Sequence, residues 1–381
     1  MLPQFTSTDE MIAQQRPEES IYCFRPDVLT AKAHWFSQRF NGRVLYAVKA
    51  NPLAPVMDAM YDGGIRHFDT ASLREISSTA DRYPDSHTYF MHPVKAWRAM
   101  ETAYHDYKVR HFVVDHMDEL NKVLDVLGDV EETPIVMVRL ATPSKAATFN
   151  LSEKFGATVT ESVALLRAIA DRGGRAGLCF HVGSQCVSTS GYEAAFQLAG
   201  EVLSQTSEPI HCLDVGGGFP ANYENTIPSP PPLDDYLRVI DEGARALNLP
   251  EDCYLMCEPG RALCADGMSV VTQVQLRKGE MLYLNDGVYG TLGGSRLGLK
   301  FPSRAIRADG DLSGELVPFT VFGPTCDSLD ILPYKVDLPG DIRTGDWVEF
   351  GMLGAYGPAI RTDFNGFMPT TFCNITTPFA G

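Results

Sequence analysis

The middle of the chain alternates short apolar runs with amphipathic stretches. The runs have the length of buried strands, and the stretches have a helical period. The predicted strands are 44–48, 65–69, 88–91, 111–114, 135–140, 177–181, 210–215 and 254–257. The predicted helices between them include 54–61, 72–80, 117–127, 160–172, 192–203 and 233–247. Strands that alternate with helices are parallel, and eight of them close into a TIM barrel.

Helix start signals support this alternation. Ser72 with Glu75 three residues later has the pattern of a capping box, and Asp234 is a cap residue at the start of 233–247.

The pattern changes after Gly267. Segments 270–276, 280–286, 315–323 and 346–350 alternate at period two and are separated by Gly, Pro and Asp turns. This alternation predicts an antiparallel β domain over 267–381, which the N-terminal segment 1–33 joins through a strand around 21–24. The barrel then occupies 34–266, so the predicted class is an α/β barrel plus a β domain.

Composition narrows the functional classes. The 381 residues fit a barrel of ~250 residues with a smaller second domain. The net charge of −16, without a basic run, makes nucleic acid and anionic membranes poor partners. The N-terminus has no signal-peptide pattern, and no apolar run reaches membrane-span length. Nine scattered cysteines without a Cys-x-x-Cys pair indicate reduced thiols in the cytoplasm and no zinc or other metal site.

Polar residues collect at the carboxyl ends of the predicted strands, where the chemistry of a barrel is located. Each of these residues has a structural explanation when it is taken alone, but their convergence on one rim indicates a site. They are Lys49, Asp69, Arg139, His181, Gly216–Gly218, Glu258, Gly260 and Arg261.

The residue types also complement one another. Two glycine loops on neighbouring strands can expose backbone N–H groups to a phosphate. A lysine that loses hydration in a closed rim is expected to have a lowered pKa and to act as a nucleophilic amine. A carboxylate such as Glu258 suits a protonated pyridine nitrogen. Together they indicate pyridoxal 5'-phosphate (PLP), whereas a sugar-phosphate aldolase would have no need of the acid.

The chain resembles the ornithine/diaminopimelate/arginine decarboxylase family of PLP enzymes, and most of all its ornithine/lysine branch. The resemblance extends from about Tyr22 to Phe367 and implies a fold like that of alanine racemase. It is carried, in order, by YAVKAN (46–51), FDTAS (68–72), LSEKFGA (151–157), FHVGSQ (180–185), LDVGGGFP (213–220), CEPGR (257–261), NDGVYG (285–290), GPTCDSLD (323–330), GAYG (354–357) and FNGF (364–367).

The resemblance implies roles around the cofactor. Lys49 would hold PLP as a Schiff base, His181 would stack on its ring, and Glu258 would pair with the pyridine N–H. Asp69 and Arg139 would brace the lysine and the cofactor. The phosphate ligands would be Ser184, Gly217, Gly218, Gly260, Arg261 and Tyr356.

The resemblance also implies a homodimer with shared sites. Cys326 would protonate the carbanion and Asp327 would meet the distal end of the substrate, both in the site of the partner subunit. Tyr289 and Phe364 are further substrate-binding candidates. From composition alone, an inert buried thiol is the favoured interpretation of Cys326, and only the GPTCDSLD context reverses it.

One departure concerns the substrate. The ornithine and lysine enzymes carry an acidic residue shortly after the NDGVYG segment, but residues 291–304 have no Asp or Glu and contain Arg296. If the Arg296 side chain points into the site, it would repel a terminal ammonium of the substrate. If it points away from the site, Asp327 alone would bind that amine. The implied activity is decarboxylation of an ornithine- or lysine-type amino acid in polyamine metabolism. The alternatives are an amino acid without a free terminal ammonium, a racemase, or a non-catalytic homologue.

Overall fold

A computed structural model describes residues 2–127, 130–142, 147–149, 154–226 and 228–379. The chain begins in the β domain with strands β1 (Gln4–Phe5) and β2 (Ile21–Phe24), separated by helix α1 (Thr8–Gln15). Helix α2 (Pro26–Arg39) then leads to the barrel. Of the helices within the described ranges, none combines the length and the apolar character that a membrane crossing requires.

The barrel confirms the predicted eight parallel strands to within about two residues at each end. The strands of this region are β3 (Arg43–Ala47), β4 (His67–Thr70), β5 (His87–Phe90), β6 (His111–Val114), β7 (Ile135–Leu140), β8 (Ala147–Phe149), β9 (Arg175–Phe180), β10 (Ser184–Cys186), β11 (Ile210–Asp214) and β12 (Tyr254–Cys257). The barrel closes in the order β11, β12, β3, β4, β5, β6, β7 and β9. Strands β8 and β10 form a separate antiparallel pair that the sequence pattern did not predict.

The six predicted barrel helices are present, and α5 was missed. Their bounds are α3 (Ala54–Asp62), α4 (Leu73–Arg82), α5 (Trp97–His105), α6 (Met117–Leu127), α7 (Val159–Asp171), α8 (Ser190–Ser204) and α9 (Leu233–Ala246). The Ser72 hydroxyl caps α4 by accepting from the Glu75 N–H. The cap expected from Asp234 is wrong, because Pro232 is the N-cap of α9 and Asp234 pairs with Arg39 instead.

The β domain follows a short helix, α10 (Arg261–Cys264). Its remaining elements are β13 (Met268–Lys278), β14 (Met281–Leu284), β15 (Ser303–Ile306), β16 (Leu316–Phe322), β17 (Val336–Pro339), β18 (Trp347–Phe350), α11 (Gly357–Ile360) and β19 (Thr371–Ile375). The long β13 pairs antiparallel with β2, β14 and β18, so the N-terminal strand β2 belongs to this sheet. Three pairs are parallel, namely β1 with β19, β2 with β19, and β14 with β16.

A buried ionic cluster fixes the N-terminal segment to this sheet. The Arg25 guanidinium lies 2.8 Å from the Glu349 carboxylate, and the two side chains are 2% and 0% exposed. Glu349 also accepts from the hydroxyls of Thr8 and Ser269 and pairs with Arg304. Because every group has a partner, the desolvation of these charges is compensated.

Candidate active site

Lys49 lies directly after β3, in a single 3₁₀ turn at the carboxyl end of the barrel. Its ammonium donates to the buried Asp69 carboxylate at 2.7 Å, while 42% of the lysine side chain faces an open cavity. Burial lowers the pKa of Lys49, but the charges of Asp69 and Glu258 outweigh that effect and raise the pKa. The expectation of a lowered lysine pKa is therefore wrong, because neighbouring carboxylates stabilise the ammonium form.

Two further carboxyl groups lie beneath the lysine. Burial, then the negative charges of Asp69 and Asp214, raise the pKa of Glu258 well above its ordinary value. Burial and Asp69 also raise the pKa of Asp214 to about 7. A cation placed against Glu258 would favour its charged form, so this buried acid suits a protonated ring nitrogen.

His181 follows β9 and separates the cavity from this acidic layer. Burial, then the positive charges of Arg139 and Lys49, hold its pKa well below the ordinary value, so the imidazole is neutral. The backbone carbonyl of His181 accepts from the Thr142 hydroxyl at 2.9 Å. Arg139, His181 and Glu258 line one small space inside the barrel, so residues that follow the fifth, sixth and eighth strands lie close together.

Glycine loops and an arginine form a cradle beside Lys49. A side chain at position 217 would come within 2.7 Å of the Glu258 carbonyl, and Gly218 has φ +111°. The buried Arg261 donates to the Tyr223 hydroxyl at 2.8 Å and to Ser184 Oγ at 3.3 Å. Its Nε has no partner among the described residues. A buried cation with a spare donor beside close-packed glycines fits the phosphate of PLP.

A cavity of about 310 Å³ connects these groups. Lys49, His181, Ser184, Arg261 and Tyr356 supply its polar lining, and no acidic residue lines it within the described ranges. The apolar lining comes from Phe149, Leu297, Leu299, Phe301, Ala355 and Ile360. The site therefore has a charged cofactor end and an apolar opposite wall.

The predicted substrate residues lie together, but away from this cavity. Asp327 accepts from the Tyr289 hydroxyl. The Tyr289 and Phe364 rings are 5.0 Å apart, and Cys326 N–H donates to Asn365. Cys326 and Asp327 line a different cavity of about 970 Å³, which shares no described lining residue with that of Lys49. Cys326 is exposed, so the alternative of a buried inert thiol is wrong.

Arg296 is exposed and does not line the cavity of Lys49. Its guanidinium carbon lies 5.7 Å from the centre of the Tyr289 ring. The Tyr289 hydrogen bond, the Leu329 N–H and the Arg296 charge together hold the pKa of Asp327 below its ordinary value. In the single chain, the Arg296 guanidinium therefore lies beside Tyr289, and its charge acts on Asp327.

Some of the site was not predicted, and some lies outside the described residues. Asp214 and Tyr223 were not named, although Asp214 belongs to the LDVGGGFP segment and precedes the first glycine loop. Tyr223 carries no local signal, since only the fold brings its hydroxyl to Arg261. Residues 151–153 of the LSEKFGA segment lie outside the described part of the chain.

A closed parallel barrel with a lysine, a phosphate cradle and a buried acid at its carboxyl end defines the PLP-binding barrel class. The family model described as "Pyridoxal-dependent decarboxylase, pyridoxal binding domain" matches residues 27–265. The chain belongs to this family, as its sequence motifs indicated, and it is a PLP-dependent amino-acid decarboxylase.

Relatives and solved structures agree with this assignment. The chain is 33% identical to the lysine/ornithine decarboxylase of Selenomonas ruminantium over 85% of this chain and 81% of that protein. It resembles the lysine/ornithine decarboxylase of Vibrio vulnificus complexed with cadaverine, with TM-score 0.83, 30% identity, and coverage of 98% and 100%. The Paramecium bursaria Chlorella virus arginine decarboxylase bound to agmatine gives TM-score 0.84, 26% identity, and coverage of 97% and 99%.

Proposed function

We propose that this protein decarboxylates an α-amino acid with a side chain of about ornithine or lysine length, in a site shared between two subunits. The observation that carries the proposal is Lys49, held by Asp69 beside the Arg261 cradle and above the buried Glu258. We also propose a cytoplasmic location, where the nine unpaired cysteines stay reduced.

Bound PLP supplies an electron sink for the pair that the departing carboxylate leaves on Cα. Lys49 provides the amine that holds the cofactor, and Asp69 fixes the position of that amine. Glu258 would keep the ring nitrogen protonated, and the neutral His181 would pack on the ring without competing for its charge. Arg261, Ser184 and Tyr356 would hold the phosphate together with the glycine loops and so keep the ring in alignment.

The dimer is proposed because the residues needed for the last step lie elsewhere in the chain. Lys49 and Cys326 line different cavities, and each group faces solvent in the single chain. Seating a second copy over the open side of the Lys49 cavity would bring the Cys326 thiol of the partner subunit to Cα. Its Sγ proton would replace the lost carboxylate, and the interface would exclude water from the site.

The substrate is proposed from charge. Asp327 is the acidic residue available for a distal ammonium, which favours a diamino acid. The acid-free lining near Lys49 and the effect of Arg296 on Asp327 favour a second candidate. That candidate is an amino acid of similar length whose distal end is capped or otherwise uncharged.

A panel of amino acids screened for CO₂ release tests the proposal, with ornithine, lysine, arginine and their distally acylated forms as members. The protein should be yellow, and borohydride should fix the cofactor on Lys49, as peptide mass spectrometry would show. A Lys49→Ala protein that is still labelled by borohydride, or CO₂ release from no member of the panel, would overturn the assignment.

A further inference from the structure

A ring of basic residues lies at the amino-terminal end of the barrel strands, opposite the end that carries Lys49. This opening is called the mouth. Five of the eight barrel strands, all of them described, begin with arginine or histidine: Arg43, His67, His87, His111 and Arg175. Side chains alternate along a strand, so these first residues point to the same side as the barrel-interior residues Leu45, Val113 and Cys179. A chain with a net charge of −16 thus gathers basic groups at one opening.

Aromatic hydroxyl groups hold this ring in place. The Arg43 guanidinium stacks on the Tyr254 ring at 3.7 Å and donates to the Tyr89 hydroxyl at 3.2 Å. The same Tyr89 oxygen lies 2.9 Å from His67 Nδ1, and the Tyr254 oxygen lies 2.5 Å from His111 Nε2. Among the described residues, Arg43 forms no ion pair, and its guanidinium contacts Tyr89 and Tyr254 instead.

The ring is separate from the decarboxylation site. Between the two ends lies a buried layer that includes Leu45, Met137, Cys212 and Met256, each of them 0% exposed. This layer closes the barrel between Arg43 and Lys49, as the packed interior of a TIM barrel normally does. A ligand at the basic mouth would therefore not enter the catalytic cavity.

The two inner histidines of the mouth are neutral imidazoles with lowered pKa values. Burial, then the charges of Arg43, Arg175, His67 and His87, lowers the pKa of His111 to about 3. Burial, then His87 and Arg43, lowers the pKa of His67 to about 4. The groups that act most strongly on both imidazoles are thus all basic, and a nearby anion would reverse the effect.

The mouth opens into a cavity of about 580 Å³. Acidic residues occur at its outer rim, where Asp81, Asp85, Asp106 and Glu132 are all exposed. Glu132 pairs with Arg110 at 2.7 Å, and Asp85 accepts from Tyr61 at 2.6 Å. Two of the four rim acids, Asp85 and Glu132, therefore already have partners of their own.

We propose that this mouth is a binding site for a small dianion, such as inorganic phosphate or a phosphate monoester. Arg43 supplies the permanent charge, and His67 and His111 supply neutral imidazoles that can donate to an oxygen or take up a proton. His87, whose ring stacks on His67 at 5.2 Å, closes the outer side.

Calorimetric titration of the holoenzyme tests the proposal, after borohydride has fixed PLP so that the catalytic cradle is occupied. Inorganic phosphate should bind saturably with Kd of about 1 mM or below. Arg43→Gln should weaken binding at least about tenfold, since it removes a charge-assisted contact. Arg39→Gln is the matched control, because this exposed arginine pairs with Asp234 outside the mouth, and it should bind like the wild type.

His87→Gln keeps the test valid if Arg43→Gln does not fold, because His87 is exposed and its loss spares the core. This variant should bind several times more weakly. Succinate serves as a second probe: comparable binding supports a general dianion site, and weaker binding supports one for phosphate. The proposal would be overturned if phosphate did not bind saturably to the wild-type holoenzyme. It would also be overturned if Arg43→Gln and His87→Gln both bound phosphate as tightly as the wild type.

Discussion

Arg296→Asp is the substitution that most directly tests how the substrate is chosen. Arg296 is exposed, lies 5.7 Å from the Tyr289 ring, and lowers the pKa of Asp327. Replacing it by Asp removes a positive charge from the surroundings of Asp327 and adds a negative one. A substrate ammonium that reaches this group should bind better in the transition state.

The solvent exposure of Arg296 determines how large the change in kcat/KM should be. A charge-assisted pair contributes ~1.5–3 kcal/mol, which is roughly ten- to a hundredfold in kcat/KM. Because Arg296 is on the surface of the single chain, solvent screening favours the lower end, about tenfold. Closure of the dimer over this region would move the effect toward the upper end, because it removes water.

The assay is kcat/KM for ornithine and for lysine, measured by CO₂ release in the wild type, Arg296→Asp and Arg296→Gln. The Gln variant separates the loss of the arginine from the gain of the acid, and it should show a smaller increase. Asp327→Ala should damage turnover of any amine-ended substrate in both the wild-type and the Arg296→Asp backgrounds. If the wild type already uses ornithine or lysine efficiently and Arg296→Asp changes nothing, the arginine does not influence the distal group, and ordinary diamine decarboxylation is the better description.

Three further outcomes are expected. Mixing inactive Lys49→Ala and Cys326→Ala subunits should restore about a quarter of wild-type activity, because half of the dimers are hybrids and each hybrid has one intact site. If no activity returns after subunit exchange has been verified, each site is made within one chain. Glu349→Ala should lower the free energy of unfolding by about 3–5 kcal/mol, because it leaves Arg25 buried without its carboxylate; denaturant unfolding that matches the wild type would contradict this. Asp214 has its pKa raised to about 7, so its protonated form stabilises the fold below pH 4 and that contribution is lost as the pH rises toward 7. Asp214→Asn should flatten this part of the stability profile, and an unchanged slope would show that Asp214 does not cause it.

Sequence and structure agree most closely where the signal is local. The apolar period of the eight strands and the residue that follows each strand are properties of short segments, so the barrel and the rim position of Lys49, Glu258 and Arg261 could be predicted. The motifs around these residues then indicated PLP and the decarboxylase family. Helix α5 was missed because its segment has no strong start signal and its N-cap is Ala96, which makes no side-chain cap bond.

Only the tertiary structure decided the electrostatics and the grouping of distant segments. The pKa of Lys49 rises and does not fall, because Asp69 and Glu258, 20 and 209 residues further along the chain, face the same space. Tyr223 reaches Arg261, and Arg296 acts on Asp327, through loops that no local pattern relates. The separation of Cys326 from Lys49 is likewise a property of the folded chain. Period and motif are encoded in neighbouring residues, whereas charge–charge interactions depend on distances that exist only after the strands have closed into a barrel.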